Sequence, residues 1–292
     1  MTQKSILMHE QKNYTPVDYL VIGHLTQDLT LSGPVPGGTV AYAALTAAAM
    51  GQRVGVLTAF PGAALPPELT GIQAVVQPTA RATTFENLTT PDGRVQIIHH
   101  MADVIQPEMV PLAWRRTPIV HLGPIAHEIP MSMLDAFPDA RIGITPQGWM
   151  RKWDDQGKVT CGDWPEAASI LSKAAVVVIS VEDVNHDEDL IARYRSQTAL
   201  LVVTEGDHGA RIYQGEQLLR VQPPAIPEVD ATGAGDIFAA IFFCHFFQTG
   251  NIASAARLAT LSAAHSIARP GLEGPPQSAE VQKYLAEINE EM

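Results

Sequence analysis

The chain has 292 residues, of which 46% are hydrophobic and 17% charged, enough for a sizeable buried core and unlike a disordered, collagenous or coiled-coil protein. Its 19 basic and 31 acidic residues leave a formal charge of −12, which opposes non-specific binding to nucleic acid or an anionic membrane, so any phosphate must be held locally. The longest apolar runs, residues 40–50 and 237–247, fall short of the roughly 20 residues that cross a bilayer.

Residues 1–16 are polar and uneven and are predicted as an N-terminal tail, with one folded domain over 17–292. Lys4, His9, Glu10 and Lys12 interrupt the apolar stretch that a signal peptide needs, and Cys161 and Cys244 form no CxxC pair. Both features predict a cytoplasmic protein with reduced thiols. The ten histidines, including His99 and His100, show no metal-ligand spacing, so no zinc site is expected.

The first strand spans 19–22 and ends at Gly23; Gly37 and Gly38 then lead into an Ala-rich helix over 39–50 closed by Gly51, the usual glycine stop. A strand follows at 54–58. Apolar segments 83–88 and 95–99 flank Pro91, Asp92 and Gly93, a turn signal that predicts a β-hairpin insertion over about 83–102. Strands at 119–122, 141–144, 176–179 and 200–203 alternate with helical segments at 166–173 and 189–195. That alternation predicts an α/β domain, a mainly parallel central sheet with helices on both faces. A second hairpin, 211–213 with 217–219, precedes a helical C-terminal part in which Phe238, Phe242, Phe243, Phe246 and Phe247 read as helix core.

The chemistry is concentrated in Asp230-Ala231-Thr232-Gly233-Ala234-Gly235-Asp236, which runs directly into an apolar helix. Small residues at a helix N-terminus leave unpaired N–H groups and a favourable dipole, so Gly233, Ala234 and Gly235 are expected to form an anion hole. A carboxylate is a poor phosphate ligand but a good proton acceptor, so Asp236 is expected to act as general base for a hydroxyl attacking the bound phosphoryl group. The competing reading is a first-turn acidic residue favoured by the dipole alone.

This stretch resembles the C-terminal signature of the ribokinase-like, or phosphofructokinase-B, carbohydrate kinases. Other parts fall in the family's order: residues 23–28 after the first strand, Gly37-Gly38 opening a helix, residues 203–210, and Ala268-Arg269-Pro270-Gly271. The resemblance implies a three-layer α/β sandwich with a small β lid, ATP as co-substrate, Mg²⁺, and a sugar or polyol acceptor. It implies that Asp28, Gly37 and Gly38 contact substrate, that Thr204, Gly206 and Gly209 line the nucleotide site, and that Thr260 lies near adenine. It also implies a monovalent cation such as K⁺ near Asp230 and Thr232, and self-association as a homodimer through the lid.

Two positions depart from the family pattern. Tyr42 stands where the substrate helix usually carries Asn, and Ser180 and Asp183 replace an Asn-x-x-Glu near the metal and phosphates. Asp183 is still expected to hold Mg²⁺ through water. Residues 145–153 follow a strand and resemble the inositol-kinase-like branch, which makes Arg151 a phosphate contact on the nucleotide side and myo-inositol a candidate acceptor. In the hairpin, Phe85, Asn87, Arg94 and Gln96 are lid candidates. One rival is a nucleoside kinase of the same fold, with Tyr42 stacking the base; another is a non-catalytic ligand-binding protein. A dinucleotide oxidoreductase is excluded because no G-x-G-x-x-G follows the first strand.

Overall fold

The computed structural model describes residues 14–30, 33–62, 64–90 and 93–290. Residues 1–13 of the expected tail and the turn residues Pro91 and Asp92 lie outside the described residues. Tyr14, the first described residue, packs edge-on against Trp114 at 5.1 Å, and the Thr15 N–H donates to Gln73.

In chain order the elements are strands β1 (Tyr19–Ile22), β2 (Thr26–Thr30) and β3 (Gly33–Gly37), helix α1 (Thr39–Ala49), then β4 (Val54–Phe60), β5 (Gln73–Pro78), β6 (Thr83–Thr90), β7 (Gly93–His100), β8 (Ile119–Leu122), β9 (Arg141–Ile144), β10 (Arg151–Trp153) and β11 (Val159–Cys161). Helix α2 (Ala167–Leu171), β12 (Val176–Ser180), α3 (Glu188–Gln197), β13 (Leu201–Thr204), β14 (Ala210–Gln214) and β15 (Gln217–Val221) follow, and α4 (Ala234–Thr249), α5 (Ile252–Ser266) and α6 (Ser278–Glu290) complete the chain.

The central sheet has the order β15-β14-β13-β12-β9-β8-β1-β4-β5, parallel from β13 to β5, with β14 and β15 antiparallel at one edge. Strands such as Val176–Ser180 read VVVIS because a parallel strand covered on both faces must be apolar throughout. One face packs on α1, α4, α5 and α6 through Tyr19, Val21, Val56 and Val178; the other carries Leu20, Ile22, Val120 and Val177 against α2 and α3. Much of that second face is covered by short 3₁₀ turns bearing Met109, Trp114, Met133 and Trp149. Helix α4 is apolar all round because it lies between the sheet and neighbouring helices: Phe238, Phe242 and Phe243 are at most 4% exposed.

The lid is larger than the expected hairpin. Strands β2 and β3 join β6 and β7 in a four-stranded sheet ordered β3-β2-β6-β7. Pro34 and Pro36 disguise β3 in the sequence, but β3 is an edge strand and tolerates prolines two residues apart because both missing N–H groups face away from the partner. The lid meets the body at buried His24. Its ring Nδ1 accepts from Thr83 Oγ1 (2.7 Å), Nε2 donates to Asp103 O (3.0 Å), and its backbone N–H donates to buried Glu128 (2.9 Å). Glu128 also accepts from the Ile125 and Ala126 N–H groups, so one buried carboxylate binds the hinge to the loop after β8.

Candidate active site

The chain runs outward from β1 through β4 to β5, and from β8 in the opposite direction, so the β1/β8 boundary is a switch point where a crevice opens beyond the strand ends. Gly23 and Gly123 sit at those two ends. A Cβ on Gly23 would lie 2.3 Å from the Gly123 carbonyl, and one on Gly123 would lie 2.4 Å from Thr39 Cγ2, so both positions require glycine for close packing.

Helix α4 enters this crevice by its N-terminus. Its N-cap, Gly233, has φ 80° and supplies no capping side chain. The Ala234 N–H bonds the Ala231 carbonyl (3.2 Å) and the Ile237 N–H closes the first helical bond to Gly233 O (2.9 Å). Among the described residues the N–H groups of Gly233, Gly235 and Asp236 make no backbone hydrogen bond. Within the expected anion hole the Ala234 amide is thus engaged by the loop itself, while the Asp236 amide joins those of Gly233 and Gly235 as an unengaged donor. Nothing lies within 4 Å of where a Cβ on Gly235 would sit, so the space in front of these donors is open.

Asp236 occupies the first turn of α4. Burial pushes its pKa up to about 6, nearby Asp183 and Asp28 push in the same direction, and the Thr39 hydrogen bond and Arg151 oppose them. An elevated carboxyl aimed into a crevice is the pattern expected of a general base near neutral pH.

The structure brings Asp28, Arg151 and Asp183 around Asp236. Asp28 lies inside β2, not in the loop expected after the first strand; Thr26 Oγ1 donates to its Oδ1 (3.0 Å), and Gly37 allows its Oδ2 to within 2.4 Å of a would-be Cβ. Gly38, with φ 86°, is the N-cap of α1 and passes close to the His24 carbonyl. Asp183 is half-buried, with Oδ1 accepting from Gln147 Nε2 (2.8 Å) and Oδ2 from the Ser180 N–H (2.8 Å); burial raises its pKa. Glu182, its neighbour, is exposed. Arg151 donates to Ile125 O (3.0 Å), and its guanidinium lies 5.2 Å from the centre of the Phe85 ring on the lid. Arg151 thus stands between the lid and the carboxylates.

Tyr42 is 3% exposed, and its ring lies 2.2 Å from where a Cβ on Gly233 would sit. The residue expected to touch substrate or stack a base packs beneath the α4 loop, against Gly233. Phe85 is also core, packed with Ile98, Ile125 and Ala126, while Asn87 accepts a hydrogen bond from Gln96 Nε2 (2.9 Å) on the same strand pair. The Arg94 side chain lies outside the described residues.

Thr204, Gly206 and Gly209 form the turn after β13. Gly206 and Gly209 have φ 58° and 87°, and a Cβ on Gly209 would sit 2.0 Å from Val221 O, which accounts for that glycine by backbone packing. Beside this turn a cavity of about 440 Å³ is lined by Val181, His186, Glu188, Glu205, His208, Ala210, Arg220 and Gln222. Buried Arg211 pairs with Glu188 through two bonds (2.8 and 2.9 Å) and with Glu205 (2.9 Å). Thr260 is buried in α5, is absent from the cavity lining, and its hydroxyl has no partner among the described residues. Asp230 accepts from the Thr232 and Gly271 N–H groups, both at 2.9 Å, so this pair ties the loop before α4 to the segment after α5.

Sequence reasoning missed Thr39, Gly123, Gln147 and Glu128 as parts of the site. Only Gln147 carried any signal, through the stretch 145–153.

A family model described as pfkB family carbohydrate kinase matches residues 165–279. The cytidine kinase of Thermococcus kodakarensis is 24% identical over 269 residues, 83% of this chain and 93% of that protein; a ribokinase of Lactococcus lactis is 31% identical over 102 residues, 35% of this chain and 33% of that one. A pyrophosphate-dependent kinase of the ribokinase family, solved with a pyrophosphate analog and myo-inositol, superposes with TM-score 0.75 at 20% identity, covering 90% of this chain and 99% of that one. Arabidopsis thaliana ribokinase with ribose and ATP gives TM-score 0.68 at 17% identity, covering 93% and 99%. The site-bearing helix thus lies within the segment that matches the pfkB carbohydrate kinase model, and the chain as a whole shares the fold of the solved ribokinases.

Proposed function

We propose that this chain transfers the terminal phosphoryl group of ATP to a hydroxyl of a polyhydroxylated ring, a sugar or a cyclitol such as myo-inositol. The observation that carries the reading is Asp236, a carboxyl raised to about 6 beside free N–H groups and an open space at Gly235. Asp236 takes the acceptor's proton as its oxygen attacks phosphorus, and the amides of Gly233, Gly235 and Asp236 receive the charge on the phosphoryl oxygens. Arg151 adds a positive charge facing Asp236 and Asp183. Asp28, at the lid's base, accepts hydrogen bonds from the acceptor's hydroxyls.

For the donor, the 440 Å³ cavity beside Gly206 and Gly209 offers room for the nucleoside end of ATP, which pyrophosphate would leave empty. Mg²⁺ carried on the donor's phosphates would face Asp183 through water. When bound it neutralises phosphate charge. A K⁺ site at Asp230 and Thr232 and a homodimer through the lid are further parts of this reading; Leu29 and Leu88, 38% and 39% exposed, alternate with Asp28 and Asn87 along the lid strands and so face away from the cleft. Among the described residues no helix is long and apolar enough to cross a membrane.

The similarity to a cytidine kinase over 83% of the chain supports a second reading, a nucleoside acceptor. The deciding experiment crosses ATP and pyrophosphate with pentoses, hexoses, inositols and nucleosides and follows phosphorylated product. Turnover of sugars or cyclitols with ATP supports the proposal; turnover with pyrophosphate alone replaces the donor, nucleosides alone replace the acceptor, and no turnover by folded protein supports a ligand-binding role.

A further inference from the structure

Asp236 is held from behind by a residue to which no role has been given. Thr39 is the first residue of α1, is 5% exposed, and hydrogen-bonds the Asp236 side chain. Facing an ionised carboxylate, a hydroxyl donates. Its direction is set from the opposite side, because Thr39 Cγ2 occupies the space that Gly123 leaves open, 2.4 Å from where a Cβ there would sit. A β-branched side chain carries two heavy atoms on Cβ, so a methyl lodged against Gly123 fixes where the hydroxyl points. The start of α1 is itself anchored, since Gly38 passes close to the His24 carbonyl at the lid hinge.

We propose that Thr39 is a positioning residue for phosphoryl transfer: wedged between the Gly123 backbone and Asp236, it holds one carboxylate oxygen so that the other faces the acceptor hydroxyl. The inference rests on Asp236 being the base. In the step it serves, the acceptor oxygen bonds phosphorus, its proton passes to the free oxygen of Asp236, and the donor's bridging P–O bond breaks with the electron pair leaving on the donor oxygen. Thr39 keeps its own proton throughout. The other groups facing Asp236 are Arg151 from β10, Asp183 from the turn after β12, Asp28 from β2 and the buried phenol of Tyr19 from β1.

The test compares Thr39→Val, which keeps the shape and removes the donor, with Thr39→Ser, which keeps the donor; Thr39→Ala removes the donor in a smaller side chain should the valine fail to fold. Three quantities are read: kcat and acceptor KM, the acid limb of the pH–rate profile, and the Asp236 titration midpoint by carbon NMR without substrates. Loss of the donor is expected to lower kcat about tenfold or more with acceptor KM within about twofold. The midpoint and the acid limb should then move together to higher pH, and Thr39→Ser should restore both and most of kcat. Wild-type kcat and midpoint in Thr39→Val or Thr39→Ala would overturn the proposal, as would equal kcat losses in all variants with an unmoved midpoint. If wild-type protein phosphorylates nothing in the panel above, the functional reading fails, and the NMR midpoint still decides whether Thr39 holds Asp236.

Discussion

Asp236 sits under opposing demands, because burial and two neighbouring aspartates favour the neutral carboxyl while its proposed role as base needs the ionised one. Asp236→Asn should lower kcat by about 10²-fold or more with little change in acceptor KM. The same substitution should stabilise the fold. A carboxyl with a folded-state pKa of about 6 against an ordinary 3.8 destabilises above pH 6, and the penalty fades as pH falls toward 3.8. Urea denaturation is therefore expected to show the Asp236→Asn variant more stable by about 1–3 kcal/mol at pH 8 and nearly equal to wild type at pH 4. Two glycines of the same loop should separate structure from chemistry. Gly235→Val meets nothing within 4 Å, so it should fold normally and lose phosphoryl transfer, seen as a collapse of kcat with acceptor binding retained. Gly233→Ala combines φ 80° with a clash on the Tyr42 ring, so its thermal transition should fall, by an amount corresponding to about 1–3 kcal/mol.

The lid and the hairpin of β10 and β11 behave as one element. Ile98 N–H donates to Gly157 O (2.8 Å), Ile97 bridges Lys158, and the Arg151 guanidinium lies over Phe85, so the hairpin extends the β7 edge and carries Arg151 with it. Asp28, in β2, is part of the same sheet and sits beside Gly37, next to the N-terminus of α1. Asp28→Ala should raise KM for a sugar or cyclitol acceptor by about 10²-fold, the loss expected for charge-assisted hydrogen bonding worth roughly 3 kcal/mol, and leave KM for ATP nearly unchanged. An effect confined to ATP would place Asp28 on the donor side. β1, α1 and the β14–β15 hairpin were legible because each follows a local rule: an apolar run, a glycine stop, a polar two-residue turn. β2 and β3 were not, because Pro34 and Pro36 contradict strand propensity, and only the edge position in the lid makes them acceptable.

Across the whole molecule, acid sensitivity should be dominated by His121. It lies fully buried within strand β8 of the central sheet, bonded to the Tyr19 hydroxyl at 2.7 Å and to Thr145 Oγ1 at 2.9 Å, and burial lowers its pKa to about 3 from 6.5. A histidine depressed in the folded state costs nothing above pH 6.5; below it the unfolded chain binds a proton that the folded chain refuses, and stability is lost progressively toward pH 3. The full effect is of the order of 5 kcal/mol. Denaturant melts between pH 7 and 4 should therefore steepen with acid, and His121→Gln should flatten that dependence while lowering stability at pH 7 through the weakened network.

The sequence by itself determined the class of fold and pointed to the segment proposed to carry the chemistry. Parallel strands buried on both faces must be apolar runs, and small residues opening a helix beside a carboxylate, as at residues 230–236, mark a candidate site for phosphoryl chemistry. Tertiary structure decided what surrounds that helix. Whether Tyr42 touches substrate or supports Gly233, whether Arg151 faces donor or lid, and what aims Asp236 depend on contacts between elements far apart in the chain. Thr39 and Gly123 are ordinary residues in their local sequence; they matter because the sheet order brings the end of β8 under the start of α1 and the head of α4. No periodicity or motif encodes that meeting, since it is the packing of three separate segments that creates it.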